Sequence, residues 1–453
     1  MNRPAHDDTE LAESPLKRTL TTPLLYFFIL GDVLGAGVYV LVGQVAAESG
    51  GAVWVPLSVA LGLALLTASS YAELATKYPR AGGASHYTTL AYGPFAGFFT
   101  GFCMLAAGVV SVAALARGFG GDYLSVFVSL PVALVAVLFL GLLALLNARG
   151  ISESTRANVV ATVIEVGGLV LVIGLGVWVW VVVCGDGDLG RLTRLGTAEH
   201  SPAAAVLSGS VLAFYSFVGF ETSVNVAEET RDPARSYPRA LFGALATAGV
   251  VYALVGAAAS SAVRTSTLVQ SSGPLLAVVE TAGGVPTRLF SVIALIAVAN
   301  GALLTGIMSS RLAYGMARDG LLPRFLTRVL PGRRTPWAAI ATTALLSLLL
   351  AVTGDVAALA STLVLLLLVV FLLVNTAVLR LRGDTVPHDH YRTPRIVALL
   401  GAASCVLLAT RIEGAVWGRG LIVLAVGVLL AWVAARRRRS EKDGGKRHQR
   451  AGA

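Results

Sequence analysis

The sequence predicts an all-α integral membrane protein of about twelve transmembrane helices, and three observations carry that prediction. Of its 453 residues, 56% are hydrophobic and only 13% charged, against roughly a quarter charged in a soluble domain. Apolar runs long enough to cross a hydrocarbon core, roughly 20 residues each, recur from one end of the chain to the other. Lys and Arg gather just beyond the ends of those runs, as the positive-inside rule expects.

The elements follow in order. The tail 1–21 is polar, with Asp7, Asp8, Glu10 and Glu13, and holds no signal-peptide core, so it is expected in the cytoplasm. Five apolar runs fill 22–184: 22–47, 51–77, 88–116, 127–148 and 157–184. Five more fill 203–380: 203–228, 239–263, 285–316, 336–353 and 356–380. Two further runs, 394–410 and 417–435, form the unit 394–435, and a basic tail closes the chain over 436–453. With the N-terminus inside, the inner loops receive most of the cations, among them Lys77, Arg80, Arg149, Arg231, Arg311, Arg328, Arg380 and Arg392. The outer side receives only Arg117, Arg191, Arg194, Arg264, Arg288, Arg411 and Arg419. This asymmetry puts both termini in the cytoplasm and implies a multi-pass protein of the plasma membrane.

Several function classes fall away. The net charge of +10 invites a nucleic-acid reading, but the run Arg436 to Arg439 directly follows an apolar helix and reads as a membrane anchor. Cys103, Cys184 and Cys405 lie in or at the edge of apolar runs, which disfavours a disulfide scaffold or a cysteine zinc cluster. His388-Asp389-His390 offers no separated third ligand for a metal. No phosphate loop exists and Gly35-Ala36-Gly37 lacks the strand–turn–helix context of a dinucleotide site, so neither an ATP-driven pump nor a cofactor enzyme is expected.

Two helices carry sequence that interrupts them, at matching places. The first contains Gly31-Asp32-Val33-Leu34-Gly35-Ala36-Gly37, and the sixth Tyr215-Ser216-Phe217-Val218-Gly219-Phe220-Glu221. A separation of five helices means the two segments cross in opposite directions, as in an inverted repeat. Unwound backbone at membrane depth persists only where it lines a cavity or binds something. Amides around Gly35, Ala36 and Gly37, at the start of a half-helix, suit a carboxylate. Carbonyls around Val33 and Leu34, and at Tyr215, Ser216 and Val218, suit an ammonium group or small cation. Together they complement the zwitterionic end of an amino acid. An amine or polyamine lacks the carboxylate and would leave the Gly35 to Gly37 amides idle.

Ionisable residues inside the spans are few, and each is a functional candidate because charge at membrane depth is costly. Asp32 and Glu165 have no basic residue nearby in sequence, which suits them to carry a proton or, deprotonated together, to hold Na+. Glu221 follows the second break. Glu73 is expected to pair with Lys77 four residues on and so to be structural.

The stretches Gly31 to Gly43 (GDVLGAGVYVLVG), Tyr71 to Tyr87 (YAELATKYPRAGGASHY), Phe214 to Pro238 (FYSFVGFETSVNVAEETRDPARSYP) and Ser310 to Pro323 (SRLAYGMARDGLLP) resemble the amino acid–polyamine–organocation (APC) superfamily. The likeness is strongest to bacterial permeases related to the cationic amino acid transporters. The resemblance implies a LeuT-type five-plus-five inverted repeat with two extra C-terminal helices, and secondary active transport by symport or exchange. It implies a substrate carboxylate at Gly35, Ala36 and Gly37, an amino group near Val33, Tyr215, Ser216 and Val218, and a gate at Tyr215; Glu221, from its place after the second break, is a second gating candidate. A cation site in the wider fold implies Gly31, Leu34, Ser309 and Ser310. Some proton-coupled relatives place a lysine in helix five. Aligned on Glu153-Ser154-Thr155-Arg156-Ala157-Asn158, that position here is Glu165, so H+ and Na+ both remain open. A receptor that keeps the fold without transporting is disfavoured by the absence of a signalling domain.

Overall fold

The computed structural model describes residues 21–451 apart from 36, 80–81, 151–154, 183–188, 198–200 and 334. Ala36 and Cys184, both singled out by sequence, therefore lie outside the described residues. In the first half, α1 (Thr22–Val33), α2 (Gly37–Ser49), α3 (Trp54–Lys77), α4 (Gly83–Tyr92) and α5 (Pro94–Phe119) are followed by the short α6 (Asp122–Ser125), α7 (Val132–Ala148) and α8 (Thr155–Val182). The second half runs through α9 (Pro202–Tyr215), a 3₁₀ segment Phe220–Glu229, α10 (Pro233–Ala262), α11 (Thr265–Gln270), α12 (Pro274–Ala282), α13 (Thr287–Arg318), α14 (Trp337–Thr353) and α15 (Val356–Arg380). Helices α16 (Arg395–Ala409) and α17 (Gly414–Ala451) complete the chain.

Among the described residues, seven helices are long and apolar enough to cross a membrane, and the bent pair α1–α2 brings the number to eight if the two are counted as one span. Helices α7, α9, α14 and α16 are shorter but equally apolar. The lipid-facing role of these surfaces is legible in their exposure. On α8, Val160, Val163, Val170, Val177 and Val181 form one helical stripe and are 53–63% exposed. A soluble protein does not show water so much contiguous apolar surface.

Local chemistry sets the helix ends. Proline opens α1, α5, α9, α10 and α12, where its missing N–H costs nothing and its fixed φ suits the first turn. Asp355 caps α15 by accepting the Ala358 amide at 2.8 Å. The run expected as one helix over 88–116 begins earlier, at Gly83, and is cut at Gly93, whose φ of 94° only glycine adopts easily.

Both expected interruptions are present. Helices α1 and α2 are separated by residues 34–36 and bent by 47°. Helix α9 stops at Tyr215, residues 216–219 form a turn, and the chain continues as 3₁₀ rather than α-helix. Helix α2 packs on α9, and α1 on α10 and α8, so the two interruptions meet at the centre of the bundle.

One sequence expectation changes. Sequence spacing alone pairs Glu73 with Lys77. Its Oε2 instead accepts the Thr393 amide at 2.8 Å and lies 3.7 Å from the Arg382 guanidinium. The Lys77 ammonium donates to the Leu381 carbonyl at 2.7 Å. The segment after α15 folds back over the end of α3, and those partners, remote in sequence, outcompete the neighbour one turn away. Glu73 stays structural for a different reason.

Candidate substrate site

The two breaks touch directly, and glycine makes the contact possible. A Cβ on Gly37 would lie 2.8 Å from Ser216 Cα and 3.2 Å from Tyr215 Cδ1. A Cβ on Gly219, where φ is 129°, would lie 2.8 Å from the Asp32 carbonyl oxygen. Any larger residue at either position would push the half-helices apart. Beside this contact opens a cavity of about 420 Å³, within the range usual for small-molecule sites. Its lining includes Gly31, Asp32, Val33, Gly35 and Gly37 from the first break and Tyr215, Ser216, Val218, Gly219 and Glu221 from the second. Helices α4, α5, α13 and α15, with Gly82 ahead of α4 and Thr222 and Asn225 beyond the second break, supply the remaining walls.

Among the described lining residues, exposure is confined to one end of the cavity. Gly82 after α3, Asn225 in the 3₁₀ segment and Arg311 in the later part of α13 line it and are exposed. At the far end Ser111, Leu115, Tyr215 and Leu363 are buried. There the Tyr215 hydroxyl and Ser111 Oγ lie 3.1 Å apart and share a hydrogen bond, tying the ring of the second break to α5. Arg311, which sequence assigns to an inner loop, lies inside α13 and reaches this lining.

The acids at the breaks are held by local donors. The Gly219 amide donates to Glu221 Oε2 at 2.9 Å. The Thr222 hydroxyl lies within hydrogen-bonding reach of both Asp32 Oδ2 and the Gly219 carbonyl. Thr222 therefore bridges the first break to the second.

Two carbonyls that sequence reasoning left unmet already accept one bond each. Val33 O accepts the Tyr252 hydroxyl at 2.6 Å. Tyr215 O accepts the Val218 amide at 3.1 Å in a 3₁₀ turn. A carbonyl has two lone pairs, so neither of these bonds by itself fills its acceptor.

The coupling candidates divide. Gly31, Asp32 and Ser309 line the cavity. Gly31 also packs on α8, since a Cβ there would lie 2.3 Å from Thr162 Oγ1. Leu34 and Ser310 are buried but outside the lining. The Ser310 hydroxyl donates to the Ile307 carbonyl at 2.9 Å and accepts from Asn147 Nδ2 at 3.2 Å, toward α7. Glu165 is fully buried and stands one residue behind the cavity wall. Asn300, which lines the cavity, donates from Nδ2 to Glu165 Oε1 at 3.1 Å. Glu165 Oε2 is buried without a hydrogen-bond partner.

Sequence reasoning passed over Asn300, Thr222, Ser111 and Tyr252. Asn300 carried a usable signal, being an amide in the middle of an apolar run. Ser111 and Tyr252 carried none, because hydroxyls are ordinary in membrane helices. In the loop 384–394, His388 Nε2 lies 3.2 Å from the Thr76 carbonyl. Burial holds the His390 imidazole below its ordinary pKa.

Comparison with known proteins gives a consistent picture. The family model described as Amino acid permease matches residues 20–434. An uncharacterized transporter of Mycobacterium tuberculosis is 31% identical over 409 residues, covering 88% of this chain and 87% of that protein. The vacuolar cationic amino acid transporter 4 of Arabidopsis thaliana is 31% identical over 381 residues, covering 78% of this chain and 61% of that protein. A branched-chain amino acid permease of Bacillus subtilis is 26% identical over 451 residues, covering 94% of each.

Proposed function

This chain belongs to the amino acid permease family of the APC superfamily, and we propose that it is a secondary active transporter moving amino acids across the plasma membrane by alternating access. Membership makes it a multi-pass membrane transporter of amino acids or related substrates. The direct contact of two helix breaks beside one cavity carries the rest of the reading. Half-helices that meet at a bound substrate can rock as bodies around it, which is how one site comes to face each side in turn.

In this reading residues 22–184 and 203–380 are the two inverted repeats, 394–435 is appended, and both tails lie in the cytoplasm. The exposed lining at Gly82, Asn225 and Arg311 is then the cytoplasmic mouth. The substrate carboxylate meets the amides of Gly35, Ala36 and Gly37 at the start of α2, where the helix dipole favours an anion. The amino group meets the carbonyls of Val33 and Tyr215, with Ser216 and Val218 beside them. Tyr215, anchored by Ser111, gates the far side, and Glu221 braces the second break through the Gly219 amide.

Coupling is to H+. Asp32 faces the cavity, while Glu165 lies behind Asn300 with one carboxyl oxygen unpartnered. A buried carboxylate without a cation is costly in a low-dielectric interior, and taking up a proton removes that cost. Protonation of Glu165 therefore relieves that desolvation cost, and Asn300 connects the carboxyl to the cavity wall. Na+ between Asp32 and Glu165 would need an oxygen cage, and the Asn300 amide nitrogen turned toward Glu165 disfavours it. The test of the transport reading is uptake by proteoliposomes containing the purified chain. Saturable uptake, accelerated by unlabelled substrate on the far side, is expected. Flux that neither saturates nor responds to countertransport would indicate a channel, and no flux with intact binding a receptor.

A further inference from the structure

The cavity walls carry a statement about substrate side chains that neither the breaks nor the family makes. The backbone groups at the two breaks serve the zwitterionic end common to all amino acids. Selectivity must then come from the other walls, supplied mainly by α5, α13 and α15. Their contribution is apolar: Met104 from α5, Leu304, Met308 and Leu312 from α13, and Leu363 and Leu367 from α15. The polar side chains beside them are an amide and hydroxyls, of which Asn300 and Ser111 are already bonded to Glu165 and Tyr215. Among the described residues, the one charged side chain that these three helices bring to the lining is Arg311, a cation.

A lysine, arginine or diamine needs an acid beside its distal charge, and the two acids that line this cavity, Asp32 and Glu221, belong to the breaks that serve the zwitterionic end. Asp32 and Glu221 sit on the breaks themselves, each held by a group of the second break. Glu165 stands behind Asn300, outside the lining. A distal ammonium placed among Met and Leu would lose its hydration with nothing to replace it.

We infer that the cavity admits amino acids with an uncharged, apolar side chain in the valine-to-methionine range and turns away cationic ones. The inference rests on the reading of this cavity as the amino acid site, and it concerns only which side chain that site accepts. Met and Leu walls attract such a chain by burying methylene groups, while Met flexibility lets several shapes fit.

The test is competition against labelled L-leucine on the purified full chain in lipid nanodiscs, using alanine, valine, methionine, glutamine, lysine and isoamylamine. Affinity is expected to rise about four-fold for each added methylene, from alanine toward leucine and methionine. Lysine is expected to compete about 100-fold more weakly than leucine. Met308→Glu should narrow that gap by strengthening lysine and weakening leucine. Lysine or glutamine competing as well as leucine would overturn the inference while leaving amino acid transport intact. Isoamylamine competing as well as leucine would instead show that the carboxylate is not recognised, and would sink the site reading itself. Should leucine not bind, direct binding of labelled lysine or isoamylamine separates those same two failures.

Discussion

The contact between the breaks is most directly probed by Gly219→Ala. Gly219 has φ 129° and ψ −36°, a region that residues with a Cβ avoid, at a backbone cost of about 1–3 kcal/mol. The added methyl would also lie 2.8 Å from the Asp32 carbonyl oxygen, 3.0 Å from its carbon and 3.2 Å from Asp32 Cγ. Backbone on the far side cannot swing aside as a flexible side chain does, so overpacking adds about 1–3 kcal/mol. The combined penalty of about 2–6 kcal/mol is relieved by moving the first break away from the second. Because that movement opens the substrate cradle, part of the penalty appears as lost affinity. If only about 1.4 kcal/mol does so, substrate binding weakens tenfold. Gly62→Ala is the control: it lies in α3, is exposed, and a Cβ there meets nothing within 4 Å. Thermal unfolding and substrate titration of both purified variants, followed by proteoliposome uptake, would measure the effect. A Gly219→Ala protein with wild-type unfolding temperature, affinity and uptake would refute the claim that these breaks are in forced contact.

Three further outcomes follow from the same geometry. Glu165→Gln keeps the shape beside Asn300 but removes the titrating group, so accumulation driven by an imposed pH gradient should be lost while substrate exchange partly survives. Undiminished accumulation would discard Glu165 as the proton site. Tyr252→Phe strips a 2.6 Å hydrogen bond from the Val33 carbonyl between fully buried partners. It should cost about 1–3 kcal/mol of stability, read as a lower unfolding midpoint, and no change would mean the carbonyl finds another donor. Glu73→Gln weakens the clamp on Arg382 and Thr393 and should cost about 1–2 kcal/mol with substrate affinity unchanged. Altered affinity in a folded Glu73→Gln protein would contradict its purely structural role.

Much of the architecture could be read from the chain because the bilayer imposes it. Apolar length gave the helices, and the glycines of the first break and Gly219 marked where helical bonding fails. What sequence could not give was anything decided by remote pairing. Glu73 has a plausible partner four residues away, yet Arg382 and Thr393 claim it once α15 and α16 are in place. The Val33 carbonyl looks unmet until Tyr252 arrives from α10. Ser309 and Ser310 are equivalent in sequence, but a helix turns about 100° per residue. One hydroxyl therefore lines the cavity while the other faces Asn147. Glu165 was legible as a buried acid, whereas its separation from the cavity by Asn300 was not.

Four of the acids buried or half-buried among the described residues, Glu73, Glu221, Asp32 and Glu165, can be sorted by how completely the fold compensates them. Glu73 has a guanidinium and a backbone amide on the same oxygen, near the end of α3. Such a charge is content as it is, and changing it costs stability alone. Glu221 takes the amide that its own break exposes at Gly219, so it secures the interruption that the site needs. Asp32 meets the Thr222 hydroxyl across the two breaks, and its environment must change whenever they move relative to each other. Glu165 is the least compensated, with one amide donor, one bare oxygen and full burial. A group whose charge the resting fold does not balance is the one whose protonation can do work. Asn300 gives that work a route, since its side chain holds Glu165 while also lining the cavity. Asn300→Ala should therefore uncouple the two, leaving exchange intact while accumulation in a pH gradient falls toward the level of Glu165→Gln. Gradient-driven accumulation that survives Asn300→Ala but not Glu165→Gln would place the link elsewhere.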